Sequence, residues 1–149
     1  MPTPNGLTPT FDSVTLTGNG VGHSVLRVAK ALYSFAVDGG AVSTITPNGT
    51  VKLPANAVIV AATVNSTTAV TSGGAATVSI GTSAGSAADS ILGATGKASL
   101  SANAILNGVP VFATPVKLSA AGNITFTVGT AALTAGVIEV VVYYYVALA

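Results

Sequence analysis

The stretch TAGVIEVVVYYYVALA (134–149) decides how we interpret the rest of the chain. After Glu139 it has no side chain that is charged at neutral pH, and its valines and tyrosines favour a strand. One face of this predicted strand is formed by Ile138, Val140, Val142, Tyr144 and Val146. The other face is formed by Glu139, Val141, Tyr143 and Tyr145. Because both faces are bulky, we expect the strand to be covered on each side, at the centre of a sheet or at a subunit contact.

Further stretches along the chain alternate in the same way and are separated by turn signals. In NITFTV (123–128), Ile124, Phe126 and Val128 share one face. In ANAVIVAATVN (55–65), the predicted inward row is Val58, Val60, Ala62 and Val64. The turn signals are DGG (38–40), PNG (47–49), SGG (72–74), GTSAGS (81–86), NG (107–108) and AAG (120–122). About eight to ten short strands at this spacing predict an all-β, single-domain β-sandwich that is jelly-roll-like.

Two segments also carry helical signals. Read as a helix, SVLRVAKALYSF (24–35) has an apolar stripe formed by Val25, Val28, Ala29, Leu32 and Phe35. Read as a strand, the same region has one face formed by Arg27, Ala29, Ala31, Tyr33, Phe35 and Val37. The periodicity alone slightly favours the helix. The second segment, SANAIL (101–106), fits one short helical turn.

The chain contains very little charge. Its charged residues amount to 6%, against roughly 25% in an ordinary globular protein, and its net charge is +1. A surface with so little charge repulsion predicts self-association. Five basic residues are too few to neutralise a stretch of nucleic-acid backbone, so we expect no nucleic-acid partner. The absence of Cys excludes disulfides and thiolate metal sites.

Groups for acid–base or metal chemistry are scarce. His23 is the single histidine, so no His-based metal cluster can form within one copy. A catalytic triad would need His23 beside Asp12, Asp38 or Asp89, and nothing in the spacing favours this. Asp38, in DGG, is explained as a turn residue, and Glu139 either pairs with a lysine across the sheet or lies at a subunit contact. We therefore expect neither enzyme activity nor a bound metal.

The segment LGATGKAS (92–99) is similar to a phosphate-binding loop. That loop needs a glycine where Ile91 stands and a hydroxyl side chain where Ala98 stands. Without the hydroxyl there is no magnesium ligand, and no apolar strand leads into the segment. We therefore predict that Lys97 is a solvated turn lysine, and we expect no nucleotide or other cofactor.

Residues 1–24 differ in composition from the rest of the chain. They contain three prolines and four glycines, and we take Phe11, Val14 and Leu16 as their possible apolar anchors. Such a segment is typical of an extended arm that becomes ordered against a neighbour, and equally of a plain disordered tail. We adopt the arm as the working hypothesis, with the three apolar residues as its contacts.

Neither a membrane span nor export is indicated. The residues from 53 to 88 lack charge, but Thr, Ser, Asn and Gly interrupt them every few positions. A spanning helix needs about 20 mainly apolar residues in a row. The first residues, MPTPNGLTPT (1–10), have no basic residue and no apolar run, so we do not expect a secretory signal peptide. Synthesis in a cytoplasm without export is the simplest expectation.

Three stretches together resemble a family of small tailed-phage virion proteins. They are RVAKALYSFAVDGGAVSTITPNGTVKLPANAVIV (27–60), TAVTSGGAATVSIGTSAGSAADSILGAT (68–95) and TVGTAALTAGVIEVVVYYY (127–145). In that family, a strand ending in V-D-G-G leads to a P-A-N-A turn, and a T-S-G-G hairpin and a final T-A-G strand follow. The chain also resembles the jelly-roll cement, or decoration, proteins that sit as trimers on icosahedral phage heads.

The resemblance implies a fold, a location and partners. It implies that residues 27–37 form a strand, within a jelly-roll-like domain of residues 25–149 that follows the arm. It further implies a homotrimer on the virion surface, bound to the phage major capsid protein and made in the host bacterial cytoplasm. The subunit interface would then contain the second face of the terminal strand, Glu139, Val141, Tyr143 and Tyr145. The alternative is a head or tail fibre module that binds a host glycan through exposed aromatic rings.

Overall fold

The computed structural model describes residues 25–84 and 87–148. Residues 1–24, which contain the predicted arm with Phe11, Val14 and Leu16, lie outside this part, as do His23 and Asp12. The described residues form a single domain built almost entirely from antiparallel strands. The all-β prediction is therefore confirmed.

The described residues form eleven strands, one short α-helix and one 3₁₀ turn. The strands are β1 (Arg27–Ser34), β2 (Thr44–Ile45), β3 (Gly49–Thr50), β4 (Lys52–Leu53), β5 (Ala57–Ser72), β6 (Thr77–Thr82), β7 (Leu92–Gly96), β8 (Ala104–Asn107), β9 (Val116–Lys117), β10 (Gly122–Gly129) and β11 (Leu133–Val146). The helix, α1, spans Phe35–Asp38, and the 3₁₀ turn spans Lys97–Ser99.

The strands form two sheets that pack face to face. The larger sheet has the order β3-β1-β11-β5-β8, and β9 pairs with β5 beyond the end of β8. The smaller sheet has the order β2-β10-β6-β7, and β4 pairs with β10. The chain thus begins in one sheet, crosses to the other and returns several times, which is the connectivity of two interlocked Greek keys. This strand order is that of a jelly roll.

The terminal strand β11 lies at the centre of the larger sheet, between β1 and β5. Its inward residues Ile138, Val140 and Val142 are fully buried, and Tyr144 is nearly so. The residues between them along the strand are half-buried and point to the outside of the sandwich. The alternation predicted for this stretch is confirmed, and a central position explains why the strand is apolar on its inner side and bulky on both.

Strand β5 follows the predicted inward row only in part. Ala62 and Val64 belong to the core, opposite Val142 and Val140 of β11. A register shift at Tyr143/Tyr144 then inserts one extra residue into β5. Before this bulge the inward residues are Ala57 and Ile59. Val58 and Val60 are buried, at 5% and 2% exposure, but the prediction that they continue the inward row was wrong. A bulge moves every residue beyond it to the other face.

The ambiguous first segment is a strand, as the family resemblance implies. Residues of β1 pair with β11 from Arg27, opposite Tyr144, to Ser34, opposite Val137. Its inward side chains are Ala29, Ala31 and Tyr33, all buried. The helical reading fails because it counts only local spacing, whereas pairing with a central strand is a long-range effect.

The predicted strand face does not continue to Phe35 and Val37, because α1 begins directly after β1. The Asp38 carboxylate closes this helical turn by accepting hydrogen bonds from the backbone amides of Ser34 (2.9 Å) and Asn48 (3.0 Å). Asp38 is therefore an organiser of the DGG turn, as predicted. The turn carries the chain away from the larger sheet and towards the smaller one.

Two aromatic rings join the sheets in the core. The Tyr33 ring stacks on Phe126 of β10, with centroids 5.3 Å apart and ring planes inclined by 25°. The Tyr33 hydroxyl donates a hydrogen bond to the Gly39 carbonyl at 2.6 Å. Burial, and to a lesser extent the negative charge of Asp38, raises the pKa of Tyr33 to about 12. The tyrosine is thus held neutral at the meeting point of the two sheets.

The sequences PANA (54–57) and SANA (101–104) fold into the same kind of turn. Asn56 has φ 60° and Asn103 has φ 61°, a left-handed conformation that Asn adopts more readily than most residues. In each turn, the amide after the Asn donates to the carbonyl three residues earlier, at 3.3 Å in the first and 3.1 Å in the second. Both turns lead straight into a strand, so the helical turn predicted for SANAIL (101–106) was wrong.

Candidate interaction surfaces

The outer face of the larger sheet combines exposed apolar side chains with a few polar ones, and we call it the apolar face. We use this name for the outward residues of its four longest neighbouring strands, Val28, Lys30, Leu32, Ala61, Thr63, Asn65, Ile105, Asn107, Glu139, Val141, Tyr143 and Tyr145. Ile105, Val28 and Leu32 remain 70%, 54% and 47% exposed. Tyr143 lies in one row with Val28 on one side and Ala61 on the other. The predicted interface residues of β11 are therefore brought together with exposed aliphatic side chains.

Charge on this face is limited to a neutralised pair. The Lys30 ammonium lies 3.2 Å from the Glu139 carboxylate, diagonally across β1 and β11. Of the two roles predicted for Glu139, the cross-sheet pair with a lysine is the one observed. Because the lysine side chain is 63% exposed, this pair contributes at most about 1 kcal/mol to stability. Its larger effect is to leave the apolar face without an unpaired charge.

The outer face of the smaller sheet has a different chemistry. Its outward residues on three neighbouring strands are Thr44, Thr77, Ser79, Asn123 and Thr127, together with Thr125, which is itself buried. The hydroxyls of Thr44 and Thr127 are 3.0 Å apart and share a hydrogen bond across β2 and β10. Hydroxyl and amide groups of this kind are well solvated by water. This face is suited to remain exposed.

A third surface is the loop 108–115, between β8 and β9, which we call the Phe112 loop. The Phe112 side chain at its tip is 76% exposed, and Val109 and Val111 beside it are also exposed. The turn is closed by the Thr114 amide, which donates to the Val111 carbonyl at 2.9 Å. The turn signal NG (107–108) marked the start of this loop. Its apolar tip was missed, although a large apolar side chain between two prolines is a detectable signal.

The Gly96-Lys97 segment is a structural corner of the fold. The Lys97 ammonium donates to the Ser72 carbonyl at 2.6 Å, so it secures the end of β5. It is half-buried, and the prediction of a freely solvated turn lysine was wrong to that extent. A shallow cavity of about 320 Å³ beside it is lined by Ala75, Ala76, Thr77, Gly96, Lys97 and Ala98. These lining residues form no set of catalytic side chains.

Charged groups elsewhere in the described chain are dispersed. Asp89 is exposed in a turn, and Asp38 is engaged by backbone amides. Within residues 25–84 and 87–148, no three His, Asp or Glu side chains lie together in a way that could hold a metal ion. In the same residues, no helix has the length and apolar character needed to cross a membrane.

No protein-family model matches the chain, and no curated protein matches it in sequence. The fold, however, is similar to chains in solved phage capsids. The match to a chain of the cyanophage Pam1 capsid asymmetric unit has a TM-score of 0.60 and 16% identity, and covers 93% of this chain and 99% of that chain. The match to a chain of the Ralstonia phage GP4 capsid has a TM-score of 0.58 and 16% identity, covering 91% and 94%.

A third similar chain comes from the acidic stable capsid structure of Helicobacter pylori bacteriophage KHP30. Its TM-score is 0.58 at 17% identity, and the match covers 84% of this chain and 90% of that chain. At identities this low, what is shared is the fold. All three matches extend over most of both chains, so the likeness concerns the whole domain. The chain therefore has, at nearly full length, a fold that occurs among the chains of phage capsids.

Proposed function

We propose that this protein is a structural component of a phage virion, and more specifically a capsid decoration, or cement, protein. In this role it binds the outer surface of the major capsid protein lattice as a homotrimer and stabilises the head. The observation that carries the proposal is the jelly roll shared, nearly end to end, with chains of three phage capsids. The apolar outer face of the larger sheet supports it, because such a face favours assembly.

A cement protein has no reaction to perform. Its task is to lower the free energy of the assembled shell relative to its dissociated parts, which burial of apolar surface accomplishes. A modest contact gains strength when it is repeated over a symmetric lattice. Each contact that has formed holds the surfaces of the next contact close together and so raises their local concentration. A surface made of Ala, Val, Ser and Thr also orders at low entropic cost, since these side chains have few rotamers to lose.

The subunit contact is proposed to involve the outer face of the larger sheet, including Glu139, Val141, Tyr143 and Tyr145. Four neighbouring strands about 4.8 Å apart, over the eight residues of β1, give a flat area of roughly 500 Å². Stable protein contacts bury about 800 Å² on each partner. The sheet face can supply most of that area, and the loops around it can supply the rest.

The capsid contact is proposed to involve residues 1–24, with Phe11, Val14 and Leu16 as apolar contacts, preceding the domain of residues 25–149. A segment of this length with so little charge can reach a neighbouring protein and add to a sheet edge or fill a groove. The location that follows is the outside of the capsid, after synthesis in the host bacterial cytoplasm.

The experiment compares phage heads with and without the protein. Heads that lack it should burst at a lower temperature, and adding purified protein should restore their resistance. A variant lacking residues 2–20 should remain an oligomer in solution but fail to co-sediment with heads. A substitution on the hydroxyl face, Thr127→Ser, serves as the control and should bind normally. Heads that are equally robust with and without the protein would contradict the proposal.

A second candidate function is a fibre module that recognises a host glycan. It is favoured by one observation, the partly exposed Tyr143 and Tyr145 on a sheet face that also carries the polar residues Thr63 and Asn65. Carbohydrates stack on aromatic rings with polar neighbours. Binding of the purified oligomer to a glycan array, abolished by Tyr143→Ala, would support this function over the first.

A further inference from the structure

The proposed homotrimer imposes a condition on its contacts. A contact between identical patches has two-fold symmetry and gives a dimer, whereas a closed ring of three requires two different patches on each subunit. In a trimer, therefore, the outer face of the larger sheet must pack against some other surface of the neighbouring subunit. The inference below rests on the proposed function, because it assumes this three-fold assembly.

The Phe112 loop is an apolar surface distinct from that face. It leaves the larger sheet after Asn107, which lies opposite Thr63, and returns at Val116, which lies opposite Ile59. It therefore projects from the edge of the sheet rather than from its outer face. Its tip presents Phe112, with Val109 and Val111 close by in the chain. Exposing a group of apolar side chains to water is unfavourable.

The first residues of the loop are anchored to the domain by hydrogen bonds and burial. The Gly108 amide donates to the Ala62 carbonyl and the Val109 amide donates to the Ile91 carbonyl, each at 2.8 Å. These bonds tie the loop to both sheets. Pro110 is buried, so the ring that restricts the backbone is itself packed. A loop fixed in this way loses little freedom on binding, and a phenylalanine has only two side-chain torsions to order.

We propose that the Phe112 loop of one subunit packs onto the outer face of the larger sheet of the next subunit, around Tyr143 and Val28. Three such contacts close the ring. The segment from 105 to 116 contains no charged residue, and the charges of the opposing face are paired as Lys30 and Glu139. Burying the two surfaces against each other therefore desolvates no unpaired charge. Aromatic side chains such as Phe112 and Tyr143 are also typical anchors at the centre of contacts.

Cysteine cross-linking tests this arrangement, because the natural chain has no cysteine. The variants are Val28→Cys, Phe112→Cys and the double variant, each oxidised mildly at a concentration where the native protein is oligomeric. We expect the double variant to form covalent trimers on a non-reducing gel and each single variant to stay uncross-linked. Dimers from Val28→Cys alone would mean face-to-face packing, and dimers from Phe112→Cys alone would mean loop-to-loop packing. Either result would overturn the inference.

A second variant measures the contribution of the anchor. Phe112→Ser should raise the concentration at which the oligomer dissociates by roughly thirtyfold or more, the change expected for a central contact residue. The matched control is Val42→Ser, an exposed apolar residue in the loop between α1 and β2, which should change nothing. An oligomer of unchanged mass and stability in Phe112→Ser would overturn the inference.

Failure of the inference is distinguishable from failure of the proposed function. If Phe112→Ser keeps the trimer but loses head binding, Phe112 contacts the capsid lattice, and only the contact proposed here is wrong. If the native protein forms trimers that do not bind heads, the cross-linking result stands and the cement function is wrong.

Discussion

The two outer faces of this sandwich are built from the same kind of strand yet differ in chemistry. The larger sheet turns Val28, Val141 and Tyr143 outwards, whereas the smaller sheet turns Ser79 and Thr127 outwards. Both inner faces are made of Val, Ile, Leu, Ala and aromatic residues, so folding alone does not require the difference. A hydroxyl face is stable in water, and an apolar face is stable only when covered. This asymmetry is the reason we propose that the outer face of the larger sheet meets a partner.

The largest effect is expected from the inner faces, which hold both sheets together. Phe126→Ala removes the ring that stacks on Tyr33 and should lower the free energy of unfolding by about 3–5 kcal/mol. Thr127 follows Phe126 in the chain but lies on the hydroxyl face. Thr127→Ala should therefore lower the free energy of unfolding by less than about 1 kcal/mol. Urea unfolding followed by circular dichroism measures both. Equal losses would mean that the inner and outer faces have been assigned incorrectly.

The next effect separates the two outer faces directly. Tyr143→Asp places a charge at the centre of the apolar face and should weaken self-association by about 2–4 kcal/mol, because Lys30, the cation diagonal to this position, is already paired with Glu139. Thr127→Asp makes the same change at the centre of the hydroxyl face and should leave the oligomer intact. Light scattering gives the mass of each variant over a dilution series. If the hydroxyl-face variant dissociates and the apolar-face variant does not, the two faces have exchanged roles.

A smaller effect comes from Tyr33, where α1 turns the chain towards the smaller sheet. Its pKa is raised from 10.0 to about 12, so the folded protein keeps the phenol proton at pH values where the unfolded chain has lost it. The contribution of the Tyr33 phenol to the free energy of unfolding is fully present below pH 10 and is lost as the pH rises from 10 to 12. We expect a loss on the order of 1–2 kcal/mol, allowing for solvent screening.

Thermal unfolding as a function of pH measures this loss. Tyr33→Phe should remove it, because phenylalanine has no proton to release. The other tyrosines and the lysines are common to both proteins and cancel in the difference between them. Identical declines in the two proteins between pH 10 and pH 12 would show that Tyr33 is not the group responsible.

The smallest effect is expected from the ion pair on the apolar face. Replacing Lys30 and Glu139 together by Met and Leu should change the free energy of unfolding by less than about 1 kcal/mol. Unfolding of the native protein should likewise depend little on added salt. The double substitution should, however, leave the oligomer intact, since it keeps the face neutral. Dissociation of this variant would mean that the ion pair itself makes the subunit contact.

Sequence patterns predicted correctly those features that depend only on neighbouring residues in the chain, such as strand alternation and turn chemistry. The alternation in β10 and β11 identifies their inward residues, because a strand has a period of two wherever it lies. Asp38 was recognised from the turn chemistry of DGG. The two Asn turns were recognisable in principle, since PANA and SANA share the residue that tolerates a left-handed backbone, but SANA was read as helical.

Effects that arise between distant residues could not be read from the sequence. The choice of strand for β1 depends on pairing with β11, more than a hundred residues later, and was available only through the family resemblance. The bulge that exchanges Val58 for Ile59 depends on the register of the same central strand. These features are tertiary, and local propensity does not encode them.

The measurement that tests the central claim most directly is the mass of the native protein in solution, measured by light scattering over a dilution series. The account predicts an oligomer of three chains that persists on dilution, because the apolar outer face of the larger sheet is covered by sister subunits. A monomer that remains monodisperse at high concentration would contradict it, since that face would then be stable in water without a partner.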